Sequence, residues 1–338
     1  MKILFLLQSE TLPSSRIRFI DLVPFLKLNG IEPSVEFISS SFWTRRKLFK
    51  SASQFDAVVL QKKLLSFLDF RNLRRRAKKL AFDFDDAIYC RDASPSQDLT
   101  DYESRRRKTR FGWTVTGCDL VIAANQVLAR KALEAAPAAS IEIIPSSVPL
   151  RQITPKTNYY LHNPPVLGWV GTRGTLRFLK YFGSALRSLR LKRDFVLRII
   201  ADGPFEEPGI KTECVPWTLE AQNAGLNEMD IGLMPLSSDP YTQGKSAYKL
   251  LQYLAAGLPA VCSAVGMNCE IAGDDKNCLA ASTEAQFEAQ ILRLLDDLEL
   301  RKQLGEKGRK LAAEKYDNRV VAAKLAAALR RLVSKVAP

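Results

Sequence analysis

The chain alternates short apolar runs with longer stretches of helical periodicity. Lys2–Leu7 is a continuous apolar run, and similar runs near Pro33–Phe37, Ala57–Leu60, Leu80–Phe84, Leu120–Ala123 and Ile141–Ile144 predict further strands. A helix through Asp21 and Leu26 is expected to end at Gly30, and another spans Gln126–Ala135 ahead of Pro137. The segment SSRIR (Ser14 to Arg18) reads as part of a long polar loop. Between Leu150 and Pro165 the pattern breaks at Pro149, Pro155, Pro164 and Pro165, as a linker does. It then restarts with strands at Val166–Val170, Phe195–Ile200, Glu213–Val215, Ile231–Met234, Ala260–Cys262 and Cys278–Ala280, and a helix over Thr175–Arg190. From Thr283 to Val333 the chain is nearly all helical: Thr283 with Gln286 forms a capping box, and Gly305 and Gly308 are expected to interrupt a helix. Two strand–helix alternations predict an α/β chain with two Rossmann-like domains and a ligand cleft between them. The expected boundaries are 1–150, a linker at 151–165, 166–316, and a closing helix at 317–338.

Composition narrows the class. At 338 residues and 46% apolar content the chain can build two cores. It has no apolar run long enough for a membrane span, and MKILFLLQSE reads as a first buried strand rather than a secretory signal. Six cysteines without CxxC spacing read as reduced, buried thiols of a cytoplasmic protein. The one histidine, His162, reads as a solvent-facing connector residue, which disfavours a Ser–His–Asp triad or a histidine metal cage. No GxGxxG follows the first strand, which disfavours a dinucleotide oxidoreductase.

The formal net charge of +14 asks for a partner. Basic clusters at Arg45–Arg46–Lys47–Lys50, Arg74–Arg75–Arg76–Lys78–Lys79 and Arg105–Arg106–Arg107–Lys108–Arg110 suit an anionic membrane surface, at about 1 kcal/mol per cation near the lipid headgroups. A solvated basic face is the plain competitor, and no aromatic-interleaved nucleic-acid motif accompanies the clusters.

The most informative stretch is GKSAYKLLQYLAAGLPAV, Gly244 to Val261. It reads as a polar turn, an amphipathic helix, a glycine stop and a proline-led strand. Lys245, Lys249 and Gln252 fall on one helical stripe, opposite Ala247, Leu250, Leu251 and Leu254. The small approach of Gly244, Ser246 and Ala247 leaves the first amides of the helix open to an anion such as a diphosphate. An ordinary surface helix with solvated lysines would carry the same pattern. Three loops after predicted strands precede it: Gly168 to Gly174 (GWVGTRG), Ala201–Asp202–Gly203–Pro204 and Met234–Pro235–Leu236. In the first, glycines admit a ligand to the backbone and Arg173 offers a planar fork to phosphate.

In this order the loops carry a resemblance. DIGLMPLSSDPYTQGKSAYKLLQYLAAGLPAVCSAVG (Asp230 to Gly266) resembles the donor-binding domain of glycosyltransferase family four, and GWVGTRG matches its first strand and loop. SSRIR, AFDFDDAIY, AANQVLA and IPSSV resemble a bacterial branch of that family that makes surface polysaccharides, lipopolysaccharide among them. The resemblance implies a GT-B architecture with a last helix, Asn318–Val333, that returns to the N-terminal domain. It implies retention of anomeric configuration, no required metal or other cofactor, acceptor on the first domain and sugar nucleotide on the second. Gly171, Thr172, Arg173, Trp217, Gly244, Lys245, Ser246, Ala247, Tyr248, Lys249 and Gln252 become nucleotide-sugar contacts, with Trp217 near the base and Gln252 at the ribose. The family's paired glutamates correspond to Gly244 and Gln252, so one carboxylate is absent and sugar contacts there fall to Lys245 or backbone amides.

The first half adds AFDFDDAIY, where Asp83, Asp85 and Asp86 close a predicted strand. A DxD metal clamp, a dehalogenase-type phosphatase and an acceptor or proton-handling site all use such carboxylates. Ala87 stands where the phosphatase motif has threonine, and no layout of the other glycosyltransferase architecture is present, so the third reading is preferred. Adjacent carboxylates repel, which would raise one pKa and make it a base for the acceptor hydroxyl. Ser15, Arg16 and Arg18 follow the first strand beside the expected acceptor, and Asn125 is a helix N-cap that the resemblance places at the cleft. The sequence thus predicts a retaining glycosyltransferase on a saccharide or lipid-linked acceptor at the cytoplasmic membrane face, with Asp83, Asp85, Asp86, Arg173 and Lys249 carrying catalysis. A nucleotide-sugar epimerase of the same architecture and a non-catalytic sugar- or membrane-binding protein are the alternatives.

Overall fold

The computed structural model describes residues 1–90 and 101–334, with side chains from residue 104 onward in the second span. Residues 91–100 of the first expected domain and 335–338 of the expected closing helix lie outside the described residues. The chain divides into two compact units. The first comprises Met1–Ser147, Asp239–Ser246 and Asn318–Pro338, and the second Val148–Ser238 and Ala247–Asp317.

The first unit is built on one parallel sheet of six strands: β1 (Lys2–Leu7), β2 (Glu32–Phe37), β3 (Ala57–Gln61), β4 (Leu80–Phe84), β5 (Leu120–Ala123) and β6 (Ile141–Ile143), in the order β2-β1-β3-β4-β5-β6. Successive side chains of a strand point to opposite faces, so a sheet covered on both sides needs unbroken apolar strands. Leu4, Leu6, Val58, Leu60, Phe82 and Phe84 enter one core, while Ile3, Phe5, Val59 and Ala81 enter the other. The second core is closed by Val321, Leu325, Leu329 and Leu332 of the helix Asn318–Ser334, which therefore belongs to the first unit as expected.

The second unit repeats the plan with β7 (Val166–Val170), β8 (Val196–Ala201), β9 (Thr212–Pro216), β10 (Ile231–Met234), β11 (Ala260–Ser263) and β12 (Leu279–Ala281), all parallel, in the order β12-β11-β10-β7-β8-β9. Buried Tyr253 ties two central strands together: its hydroxyl accepts from the Val170 amide at 3.2 Å and donates to the Leu233 carbonyl at 3.0 Å.

Local differences from the sequence reading have physical causes. SSRIR is not loop but the helix Pro13–Arg18: proline occupies its first turn, and Ser15 and Arg18 turn inward onto buried partners. Gly305 and Gly308 do not interrupt their helix, which runs unbroken over Leu298–Leu311. A Cβ at Gly305 would lie 2.3 Å from the Gly257 carbonyl oxygen, so the glycine serves close packing on the helix Tyr248–Ala256. The expected linker at 151–165 is ordered within the second unit: Lys156 donates to the carbonyls of Asn227 and Met229, and Arg301 to that of Tyr159. The expected single helix over Thr175–Arg190 is a turn followed by Leu176–Tyr181 and Gly183–Lys192. The capping box is half made, since Thr283 caps the Gln286 amide but the Gln286 side chain accepts from Ser282. His162 is half exposed, yet its Nδ1 lies 2.9 Å from buried Asp230. Of the six cysteines, all free, only Cys262 and Cys278 are buried. No helix among the described residues is long and apolar enough to cross a membrane.

Candidate functional site

In parallel sheets, ligand-binding groups gather in the loops beyond the carboxyl ends of the strands. In the second unit those loops follow β7, β8 and β10 and lead to the helix Tyr248–Ala256. The Lys249 side chain crosses the loop after β7. A Cβ on Gly171 would sit 2.5 Å from Lys249 Cε and 2.4 Å from the Trp169 ring, so only glycine leaves that passage open. The ammonium lies 5.1 Å from the centre of the Trp169 ring, a cation–π distance. Arg173 and Thr172 are exposed on the same loop. The Arg173 amide donates to Asp202, and its side chain lies over Gly203, so the loops after β7 and β8 are held together. Trp217, just beyond β9, is part-exposed and donates through its indole N–H to Gln222 at 3.0 Å.

The helix itself is shorter than the sequence predicts. It begins at Tyr248, after Ala247 in the left-handed region (φ 52°), and has no side-chain cap. A left-handed alanine costs about 1–3 kcal/mol and is held only where its surroundings dictate it. Lys245 and Ser246 therefore precede the helix, and the predicted Lys245–Lys249–Gln252 stripe is not one helical face. Lys245 belongs to the first unit, with its ammonium 4.6 Å from the Tyr241 ring centre. Gln252 is on the helix but buried at 2% exposure.

Gly244 also lies in the first unit, where the segment Asp239–Ser246 packs. A Cβ there would come within 2.8 Å of the Ala87 Cβ, 2.9 Å of Leu128 Cδ2 and 3.0 Å of the Ala87 amide nitrogen. The space beyond Gly244, where the resemblance leads one to expect a glutamate, is thus filled by Ala87 and Leu128. Gly244→Ala is expected to lower stability by about 1–3 kcal/mol through overpacking, read as an earlier midpoint in urea; an unchanged midpoint would show the contact to be soft. Asn125 fastens the segment from the other side. Its Oδ1 caps the helix Gln126–Ala135 at the Leu128 amide, while its Nδ2 donates to the carbonyls of Gly244 and Lys245 at 3.3 and 3.2 Å. At 1% exposure Asn125 is a structural clasp.

The carboxylates of AFDFDDAIY separate into two ion-pair systems. Asp83 is buried against Arg18, which grips both its oxygens and donates to the Ile144 carbonyl at 2.7 Å. Burial acts on both partners, pushing Arg18 down and Asp83 up, but for Arg18 the pull of Asp83 outweighs burial and its pKa rises. That direction is the one the forked geometry supports, because a guanidinium keeps its proton and the carboxylate then stays ionised. Arg18 and Asp83, expected at acceptor and catalytic positions, are therefore enclosed structural groups. Ser15 is enclosed too, with its hydroxyl 3.1 Å from Gln61, and Arg16 is part-exposed near Asp21. Asp85 and Asp86 pair with Lys62, Asp85 at 3.0 Å. Burial alone would lower the Lys62 pKa, but the two carboxylates outweigh it and the net direction is up.

Asp86 reaches the wall of a pocket of about 530 Å³ within the first unit. Lys62 and Lys63 after β3, Arg106, Arg107 and Arg110 of the helix Asp101–Gly117, and Tyr241 also line it. Cys90 on the same wall is no nucleophile: burial, with help from Asp239, pushes its thiol up to about 11. The sequence reading missed Lys62 and Lys63 because β3 offers no motif at its end; they matter through the adjacency of β3 and β4.

Residues 164–297 match the family model described as "Glycosyl transferases group 1". An "MMP alpha-(1->4)-mannosyltransferase" of Mycolicibacterium hassiacum is 25% identical over 173 residues, covering 48% of this chain and 42% of the relative, so the chain spans under half the length of that curated relative. Among solved structures, sucrose-phosphate synthase of Thermosynechococcus elongatus aligns with a TM-score of 0.76 at 14% identity, covering 98% of this chain and 99% of the other. Anabaena HepE in complex with UDP-glucose aligns at 0.70 and 14%, covering 98% and 100%. WaaG, a glycosyltransferase involved in lipopolysaccharide biosynthesis, aligns at 0.66 and 13%, with the same coverage. The chain accordingly has the α/β GT-B fold, and its residues 164–297 are similar to a group 1 glycosyltransferase domain.

Proposed function

We propose that the chain is a retaining glycosyltransferase that moves a sugar from a nucleoside diphosphate donor to a saccharide or lipid-linked saccharide hydroxyl, without a required metal. The observation that carries this reading is Lys249, whose side chain crosses Gly171 at the carboxyl end of the second sheet, on the loop that also exposes Arg173. Such a cluster serves a departing diphosphate: charge develops on the leaving oxygens, and fixed cations with the positive end of a helix stabilise it without reorganising. Bound UDP-glucose in HepE and the matched domain support a nucleotide-sugar donor. The first unit would hold the acceptor, and Asp86, the most exposed of its three neighbouring carboxylates and fixed by Lys62, is the group suited to accept the hydroxyl proton. Likeness to WaaG, a glycosyltransferase involved in lipopolysaccharide biosynthesis, supports a role in cell-surface polysaccharide synthesis.

Thermal-shift measurements test the donor half. UDP, GDP and their sugar conjugates are the panel, and at least one is expected to raise the melting temperature, since a ligand at 100 times its Kd adds about 2.7 kcal/mol to the native state. If none does, while the protein is folded, the nucleotide assignment is wrong.

A further inference from the structure

The basic cluster at Arg105–Arg110 reads from sequence as membrane-facing, but part of it lines a cavity. Arg106 and Arg110 are four residues apart and Arg107 and Arg110 three, so the three guanidinium groups share one side of their helix. From the sheet, Lys62 and Lys63 face the same space. Among the described residues, the wall therefore brings five cations and one carboxylate, Asp86, to a pocket of about 530 Å³. That size suits a small ligand. Lys62 is held by Asp85 and Asp86, and the guanidinium forks beside it match phosphate oxygens in pairs.

We infer that this pocket seats a phosphate or diphosphate group of the acceptor, beside the carboxylate proposed as proton acceptor. The inference rests on the glycosyltransferase reading and adds the chemical class of its second substrate. A lipid carrier is the favoured source of that phosphate. The helices Phe42–Ser51 and Phe67–Arg74 follow β2 and β3, so they too start at the carboxyl end of this sheet. Their first turns are joined by Arg45 and Asp69 at 3.1 Å. There they expose Phe42, Trp43, Phe67 and Leu68, with Trp43 at 76% and Leu68 at 75%. An exposed apolar tip ringed by Arg45, Arg46 and Lys47 suits a bilayer interface.

Titration calorimetry with inorganic diphosphate, in saturating UDP so that the nucleotide site is filled, tests the pocket. The full chain is expected to bind under those conditions, more weakly as salt rises. The double variant Arg106→Ala/Arg107→Ala, altered only at exposed positions, should bind at least tenfold more weakly. Unchanged binding by the variant, or complete displacement of diphosphate by UDP, overturns the inference. A chain that ignores UDP but holds diphosphate through these arginines would refute the nucleotide reading and leave the pocket standing. Geranyl diphosphate separates the sources. Tighter binding than inorganic diphosphate, with the gain lost in Trp43→Ser/Leu68→Ser, supports a lipid carrier; equal binding rules the carrier out. With phosphatidylglycerol vesicles, loss of vesicle binding in Arg106→Ala/Arg107→Ala while diphosphate binding persists would assign the cations to the bilayer instead.

Discussion

Replacing Lys249 by alanine is expected to lower kcat for sugar transfer by roughly 10²–10³-fold, the usual loss when one fixed electrostatic group is removed from a developing negative charge. The fold should survive, because the truncated side chain is part-exposed and its ammonium lies over the Trp169 ring. Lys249→Arg is not expected to rescue the rate. The lysine chain threads past Gly171 with no room for a Cβ there, and a planar guanidinium demands more width than an ammonium. For the same reason Gly171→Ala should reproduce most of the loss, by pushing Lys249 aside. Steady-state rates with a nucleotide sugar, together with the Kd for the free nucleotide, check this. Wild-type rates in Lys249→Ala would remove the diphosphate assignment.

The largest stability effect is expected at the opposite end of the chain's chemistry, in the buried pair of Arg18 and Asp83. Arg18→Met or Asp83→Leu alone leaves one charge enclosed without its partner, which costs about 3–5 kcal/mol. Changing both removes the two charges together and should cost much less than the sum. Recovery will be incomplete, because the Ile144 carbonyl loses the donor that Arg18 supplies at 2.7 Å, at about 1–3 kcal/mol for a buried acceptor. Urea unfolding of the two single variants and the double one gives the cycle. Single-variant losses under 1 kcal/mol, or strict additivity, would show the pair to be uncoupled. Donor binding should be unaffected in any variant that folds, since neither residue belongs to the second unit.

These two sites show how unevenly function was legible. Arg173 stands in a loop, and Lys249 at the start of a helix, whose glycines and order along the chain announce a ligand, and the structure places them at the carboxyl end of the second sheet. Asn125 was readable as an N-cap, because a cap needs only its own helix. Its second task, holding Gly244 and Lys245, joins residues more than a hundred positions apart and leaves no local trace. Gly244 looked like a missing carboxylate; the space for that carboxylate is taken by Ala87 and Leu128. Three aspartates within four positions looked like one site. The strand pleat turns Asp83 into the core toward Arg18, and the chain leaves the strand before Asp85 and Asp86 meet Lys62. The stripe of Lys245, Lys249 and Gln252 assumed one continuous helix, and the left-handed Ala247 ends that assumption.

The return of the last helix was implied by the family resemblance, whereas the sequence determined by itself the twelve strands in outline and their division into two α/β halves. Each follows from apolar periodicity, and burial is a property that every residue of a strand or helix face reports locally. The tertiary structure alone decided which polar groups became partners, which glycine made room and which cations share a cavity. Pairing depends on strands that are adjacent in space but distant in sequence, so the charge pattern of AFDFDDAIY and of Arg105–Arg110 could not reveal whether those groups faced each other, solvent or a pocket. The fold was written in hydrophobic spacing, and the chemistry in contacts that only folding creates.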